Sequence, residues 1–246
     1  LGPLLVGTAV GTFFNGAMFK LDDLNHVTWG TSFRGLEAVL TFHNLALGLA
    51  VLFLARILGL LYFMNSVDNK AIVERSQKAL LLNTVPFLVF FLYFVIALLF
   101  KDGYAYNSET GVVSVESYKY LHNLLALPIN TLLLLIGVLG VLWGIGTSIL
   151  KGGNKGIWFA GGGTVLTVWA LLILAAFNNT CFYPSIFDMQ SSLNIVKASS
   201  SKFTLVAMSY VSLFVPFVLA YIWYAWKSMN SKPISTEELE QEHHTY

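Results

Sequence analysis

Charged side chains are scarce in this chain of 246 residues, and cysteine is almost absent. Asp, Glu, Lys and Arg together make 11% of the residues, whereas soluble globular domains have about 25%. The formal net charge is only +1, so no basic surface predicts a nucleic-acid partner. The single cysteine, Cys181, excludes an internal disulfide, and no Cys/His cluster has the spacing of a zinc site. We expect Cys181 to be a small packed residue near a helix end, with a reactive or redox thiol as the alternative.

Apolar residues are abundant instead, and they are grouped into six long stretches. They make 56% of the chain, and the mean hydropathy is +0.69. A bilayer core is about 30 Å thick, so a helix that spans it needs about 20 apolar residues. Five stretches reach that length and the first is shorter: Pro3–Phe19, Leu36–Met64, Ala79–Phe100, Asn123–Leu150, Ile157–Phe177 and Phe203–Trp226.

The predicted fold is an all-α, polytopic membrane bundle with six transmembrane helices, because hydrocarbon offers no water to satisfy backbone polar groups. Residues 1–227 form the predicted transmembrane domain and residues 228–246 a polar tail. The links Asn65–Lys78 and Lys151–Gly156 and the tail have a higher density of basic residues than the opposite links, which predicts that they and the C-terminus are cytoplasmic. Because Leu1 already lies within an apolar run, we expect a piece of a longer protein, with N-terminal helices missing.

Proline and glycine predict local departures from straight, separate helices. Pro128 and Pro216 lie inside apolar stretches, and each is expected to kink its helix because proline removes a backbone hydrogen bond. Small residues four positions apart let two helices approach closely in a membrane. Two such patterns are present, at Gly7 with Gly11 and at Gly140 with Gly144.

Ionisable groups within the apolar stretches are few, and each is a functional candidate because charge is costly in a membrane. Glu37 begins the second stretch and is either a proton-relay carboxylate or, more commonly, a carboxylate at the headgroup level. His43 lies two turns deeper and could be a metal or haem ligand. Arg56 is about two turns from the other end of the stretch, where its side chain could snorkel to the interface. These three are candidates for a proton path or for polar contacts in the membrane; no catalytic, cofactor-binding or metal-binding residue is assigned.

Haem ligation by this chain alone is not expected. A haem held by two histidines needs both at matching depth on facing helices, and His43 has no second histidine within an apolar stretch. Haem ligation by one histidine and one methionine is not excluded, because Met208 also lies within an apolar stretch. Neither a phosphate-binding loop nor a set of nucleophile, base and acid stands out, so the chain is not predicted to be a self-sufficient enzyme.

The segment from Asn178 to Trp226 resembles a known family. Its distinctive parts are Asn178–Pro184, Ser191–Ile195, Ala198–Ser201, Thr204-Leu205 and a last helix with Pro216, Tyr221 and Trp226. This pattern is similar to the C-terminal region of subunit II of the cytochrome bd quinol oxidases, with Asn194 where the family usually has Thr. Upstream, Gly48, Gly59 and Tyr62 fit the family's glycine-rich pattern, whereas Thr41-Phe42 stands where it often has Asn-Pro.

The resemblance implies a non-haem subunit II of a terminal quinol oxidase in the bacterial cytoplasmic (inner) membrane. The complex would pass electrons from quinol to dioxygen in the respiratory chain, with haem b and haem d in the partner, subunit I. This chain would then have no cofactor and would not be catalytic alone. Membrane lipid and a small accessory membrane subunit are further expected partners. The family has about eight spanning helices, and its acidic proton-pathway residues lie in the part expected to be missing, so no catalytic residue is carried over.

Two other classes of function stay open. A secondary transporter or channel subunit is one, although no clear internal repeat is visible and the predicted midplane is nearly free of charge. A quinone-binding membrane anchor of another respiratory complex is the other. Co-purification with a chain that carries haem d would distinguish that anchor from the oxidase.

Overall fold

The computed structural model describes residues 1–229, except for the side chain of Lys151, so most of the predicted polar tail lies outside the described residues. Helices dominate the fold: α1 (Gly2–Asn15), α2 (Phe42–Ser66), α3 (Lys70–Leu99), α4 (Lys119–Ala126), α5 (Pro128–Lys151), α6 (Gly156–Ala176), α7 (Ile195–Ala198), α8 (Lys202–Ser212) and α9 (Val215–Met229). Two antiparallel hairpins pair β1 (Phe19–Leu21) with β2 (Val27–Trp29) and β3 (Gly103–Tyr106) with β4 (Val113–Glu116). The predicted all-α membrane bundle is confirmed.

Within residues 1–229, five helical segments are long and apolar enough to cross a bilayer: α2, α3, α5, α6 and the pair α8–α9. The predicted count of six was approximate, because α1 is shorter than its apolar stretch. It has 14 residues and so extends about 21 Å, less than the roughly 30 Å hydrocarbon core. The helix ends at Gly16, which has a φ of 70°, and the chain then turns into β1.

Helix α3 begins at Lys70, well before the apolar stretch that predicted it from Ala79. The side chain of Asn69 caps this end by accepting hydrogen bonds from the backbone N–H groups of Ala71 and Ile72. Such a cap satisfies donors that the first turn leaves free. Capping therefore sets this boundary, and hydrophobicity does not.

The two predicted proline kinks have different outcomes. The prediction for Pro128 is wrong, because α4 ends at Ala126 and Pro128 is the first residue of α5. At that position the missing N–H would have had no partner within the helix, so the helix is not strained. Pro216 does lie at an interruption: α8 ends at Ser212, and α9 begins at Val215 after a two-residue turn.

Close contacts at glycines hold pairs of helices together. A Cβ atom added at Gly7 would lie 2.8 Å from the Cα of Gly48, so α1 touches α2 backbone to backbone. A Cβ added at Gly144 would lie 2.5 Å from the carbonyl oxygen of Gly156, which shows the same closeness between α5 and α6. Both predicted small-residue patterns are therefore confirmed as helix contacts.

The links at one end of the bundle form a layer of their own. This hairpin layer consists of residues 16–35, 100–118 and 177–194. Isolated bridges between Ala17 and Ser185 and between Ala105 and Thr180 tie its three segments together. Cys181 is buried there, and its backbone N–H donates to the carbonyl of Tyr104 at 2.8 Å. The prediction that Cys181 is a packed residue is confirmed.

Candidate functional site

Glu37 lies in a 3-10 turn, Leu36–Leu40, just before α2. Its Oε2 accepts a hydrogen bond from the backbone N–H of Gly35 at 2.9 Å. Desolvation acts to raise the pKa of Glu37, but hydrogen bonds, with the backbone amides of Glu37 and Gly35 foremost, outweigh it and leave the pKa lowered. The lowered pKa and the donor at Oε2 favour an interfacial carboxylate over a relay that must take up a proton. The second oxygen, Oε1, is buried and has no hydrogen-bond partner among the described residues.

His43 lies in the first turn of α2, at the same end of the bundle as Glu37. Its ring packs on Phe94 of α3, with ring centroids 4.6 Å apart. The Nε2 atom is buried and has no hydrogen-bond partner among the described residues. The next residue, Asn44, is fully buried, and its Nδ2 donates to the carbonyl of Ala38 at 2.7 Å.

Sequence reasoning missed two polar residues that meet His43 and Asn44. The Nδ2 of Asn15, the last residue of α1, donates to Oδ1 of Asn44 at 2.5 Å. The Nζ of Lys101 donates to Oδ1 of Asn15, and its positive charge also acts on the His43 ring. Burial lowers the pKa of Lys101, and the charge of Asp102 offsets this only in part. We call Asn15, His43, Asn44 and Lys101 the α1–α3 polar cluster.

The α1–α3 polar cluster joins three helices at one end of the bundle. Lys101 lies beside the C-terminus of α1, where free backbone carbonyls carry partial negative charge that favours a cation. Nothing in the sequence marks this pairing, because Asn15 and Lys101 belong to different helix ends. The arrangement is a hydrogen-bonded tie, and within residues 1–229 it holds neither a carboxylate–histidine pair nor a nucleophile beside a base.

Arg56 stands apart from the other two predicted candidates. It lies on an exposed face of α2, whereas the next residue, Ile57, is fully buried. Helix α2 spans Phe42–Ser66, so its midpoint is Leu54 and Arg56 lies about 3 Å further along the axis. The structure therefore brings Glu37 and His43 to the same end of the bundle and places Arg56 near mid-height.

An apolar cavity, partly open to the surface of the bundle, lies between α2, α3, α5 and α6. Its volume is about 60 Å³, and its wall is entirely apolar. Thr164 and Thr167 line it, but their hydroxyls donate to the backbone carbonyls of Ala160 and Gly163. A space with apolar walls favours small apolar molecules over water. Sequence reasoning did not find this cavity, because its walls come from four separate helices.

The described residues do not fit a haem or metal site in this chain. Within residues 1–229, no group of three or more His, Cys, Asp and Glu side chains could hold a metal ion. His26 is paired with Asp22 at 3.0 Å and His122 with Glu116 at 2.9 Å, both outside the spanning helices. Met208 lies on α8, which has no buried residue. If His43 were one axial ligand of a haem iron, these histidine and methionine side chains would not supply the second.

The comparisons with known proteins give one clear result. A model of the family described as cytochrome bd terminal oxidase subunit II matches residues 1–229. The match covers every residue whose structure is described and far more than half of the chain. No match was found among curated proteins.

Proposed function

The chain belongs to the cytochrome bd terminal oxidase subunit II family, and on that premise we propose that it is the non-haem subunit of a quinol oxidase. Family membership, and the five segments of residues 1–229 that are long and apolar enough to cross a bilayer, make it a multi-pass membrane subunit of a terminal oxidase, and hence part of an oxidoreductase complex. In our proposal the complex passes electrons from quinol to dioxygen. Haem b and haem d belong to the partner, subunit I, and this chain is not catalytic alone.

The family match is the observation that carries this proposal. The isolation of His43 and the pairing of His26 and His122 with carboxylates support a partner chain as the place of the haems. Membrane lipid and a small accessory subunit are further proposed partners. We also propose a bacterial inner-membrane location, with the hairpin layer outside and residues 228–246 as a cytoplasmic tail, because the short links at the other end have the higher density of basic residues.

Within the complex, the chain is proposed to support the haem-bearing subunit and to shape the routes of small reactants. The apolar cavity between α2, α3, α5 and α6 supports a share in oxygen supply, since dioxygen is small and apolar and prefers such a space to water. Glu37 and His43 stay candidates for a proton path or polar contacts, with the contacts of Glu37 favouring the second role.

The proposal can be tested on the complex purified through a C-terminal tag on this chain. We expect a visible spectrum with haem b and haem d bands and a second chain identified by mass spectrometry. After the chains are separated in detergent, we expect no Soret absorbance with this chain. A stoichiometric haem spectrum on the separated chain, or the lack of any haem-bearing partner, would contradict the proposal.

The alternative of a secondary transporter or channel has one structural feature in its favour, the interrupted helix α8–α9. Transporters often bind their substrate at broken helices near the midplane. The interruption at Leu213 and Phe214, however, has no Asp, Glu, His, Lys or Arg within one turn of it in sequence. Transport of a solute by liposomes containing only this chain would favour the alternative.

A further inference from the structure

Arg56 poses a physical problem that residues 1–229 do not solve. Its side chain is exposed on α2 near the helix midpoint, where the surroundings of a membrane protein are hydrocarbon or another protein. Within residues 1–229, no hydrogen bond or ion pair to the guanidinium is formed. A charge at this depth is costly and normally faces a partner of opposite charge.

Snorkelling to the lipid headgroups is unfavourable from this position. The nearer end of α2 is its C-terminus at Ser66, about 15 Å away along the axis, and the N-terminus at Phe42 is about 21 Å away. Side chains on a helix lean towards its N-terminus. Arg56 therefore leans away from the nearer membrane surface, and towards the one that is further away.

The surface around Arg56 is shaped for another helix. Ala55 is exposed beside it, and Gly59 follows one turn later on the same side of α2. A Cβ atom added at Gly59 would meet nothing within 4 Å, so the space beside its backbone is open. Ala55 and Gly59 are four residues apart, the spacing that lets a second helix approach closely in a membrane. Open space beside an unpaired charge is where a partner can supply both packing and a counter-charge.

We propose that this face of α2, formed by Ala55, Arg56 and Gly59, binds a transmembrane helix of the haem-bearing partner subunit, and that this helix presents an Asp or Glu side chain to Arg56. The proposal rests on the function proposed above, which supplies a membrane-embedded partner. Charge complementarity favours an acidic helix as the occupant, because lipid tails carry no charge and a second copy of this face would bring two arginines together. If a helix of this same subunit supplies the carboxylate, the proposal is overturned.

Cross-linking from Ala55 tests the contact directly. Cys181 is fully buried, so Ala55→Cys adds the reactive thiol to which a photo-activatable cross-linker can be attached in the purified complex. We expect cross-links to a membrane span of the haem-bearing chain that contains Asp or Glu, identified by mass spectrometry. Val89→Cys, on the exposed face of α3, is the control that measures non-specific cross-linking. Capture from Ala55 of lipid alone, of a second copy of this chain, or of another helix of the same subunit would overturn the proposal. Capture no stronger than from Val89 would overturn it as well.

Substitution of Arg56 tests the charge. Arg56→Met is expected to reduce the haem-bearing chain recovered with the tagged subunit by about tenfold or more, because it leaves a buried carboxylate unpaired in the partner. Arg56→Lys is expected to recover most of the loss. Arg56→Met makes α2 more apolar, so insertion of the chain into the membrane should be preserved. The amount of tagged chain in the membrane fraction checks this. Arg75→Met, on the exposed surface of α3 near its start, serves as the control and should change nothing.

The outcomes separate this inference from the proposed function. If the wild-type chain brings down no haem-bearing partner, the proposed function fails. If wild type and Arg56→Met bring down equal amounts of partner, the oxidase assignment stands and the proposed ion pair is overturned.

Discussion

The bundle formed by α1–α6 and the segment α8–α9 are both apolar, yet only the bundle is packed. A third of the most apolar window of α2 is buried, and the corresponding share for α8–α9 is 0%. Side-chain size accounts for part of the difference, since α1, α2, α5 and α6 meet at glycines while residues 202–229 contain none. Helix α3 also has no glycine and still packs on α2, so glycine is not required at every contact. Lipid is as apolar as the helices, so apolar character alone does not hold helices together.

The strongest test of this comparison removes the close contact between α5 and α6. In Gly144→Leu the new side chain would collide with the carbonyl of Gly156 and the backbone of Ala160. We expect a loss of about 3 kcal/mol or more in stability, measured by unfolding of the complex in detergent. Gly146→Leu, where a Cβ meets nothing within 4 Å, and Ala220→Leu on exposed α9 are matched controls that should be nearly neutral. Equal destabilisation by all three would show that packing at glycine is not what distinguishes the bundle.

The second test removes a buried amide that joins the bundle to the hairpin layer. The Nδ2 of Asn123 donates to the carbonyl of Leu174 at 2.9 Å and to Oγ1 of Thr180 at 2.7 Å. Asn123→Leu leaves these acceptors unpaired in a buried site, so we expect a loss of about 1–3 kcal/mol in the same unfolding assay. Ser209→Ala on exposed α8 is the control. An effect of Asn123→Leu as small as that of the control would argue against this link.

A third, smaller effect is expected from pH. Desolvation acts to raise the pKa of Glu116, but its contacts with Lys119 and His122 outweigh this and lower the pKa from 4.5. A lowered carboxyl pKa contributes stability above the ordinary value, and that stability is lost as the pH falls below 4.5 towards the folded-state pKa. The protection factors of the amide hydrogens in β3–β4, which correct for the pH dependence of free amides, should therefore fall in this range, while those in α8–α9 are unaffected.

The control for the pH effect is Glu116→Gln. It removes the titrating group, so the fall in protection below pH 4.5 should disappear. Because Glu116 is partly exposed, its loss at neutral pH should cost no more than about 1 kcal/mol. Acid-dependent exchange that persists in Glu116→Gln would assign the effect to another group.

The smallest effect concerns reactivity and leaves stability unchanged. Burial raises the pKa of the Cys181 thiol from 9.0 to about 11, and the charges of Lys197 and Lys119 offset it only in part. The thiolate fraction at neutral pH is then about a hundredfold lower than for an ordinary thiol, and access is blocked as well. We expect no maleimide labelling of the folded chain, whereas Ser201→Cys, at an exposed position before α8, should react readily. Rapid labelling of Cys181 would show that the hairpin layer opens.

Helix positions were largely predictable, and their ends were not. The apolar stretch Ile157–Phe177 matches α6 almost residue for residue, because the helix begins and ends where the apolar residues begin and end. Helix α3 starts earlier because Asn69 caps it, and the stretch 123–150 divides before Pro128 because proline is favoured as a first helical residue. Caps and first-turn prolines act through local hydrogen bonds, which a hydropathy pattern does not record.

The candidate site was only partly predictable. Glu37, His43 and Arg56 were found as ionisable groups in apolar surroundings, but their grouping was not. Asn15 and Lys101 come from the ends of α1 and α3 and meet only after the helices pack. The position of Arg56 along its helix also differs from the prediction. Because α2 begins at Phe42 and not at Leu36, Arg56 lies near the middle of the helix.

The sequence by itself determined the solvent and the class: long apolar segments with few charges require hydrocarbon around helices, and the pattern after Asn178 resembles the oxidase subunit family that the chain belongs to. Only the tertiary structure decided which segments pack, where the apolar cavity lies and that Arg56 faces outwards near the middle of α2. The physical reason is that solvent preference adds up along the chain, whereas a contact or a missing partner depends on residues far apart in sequence.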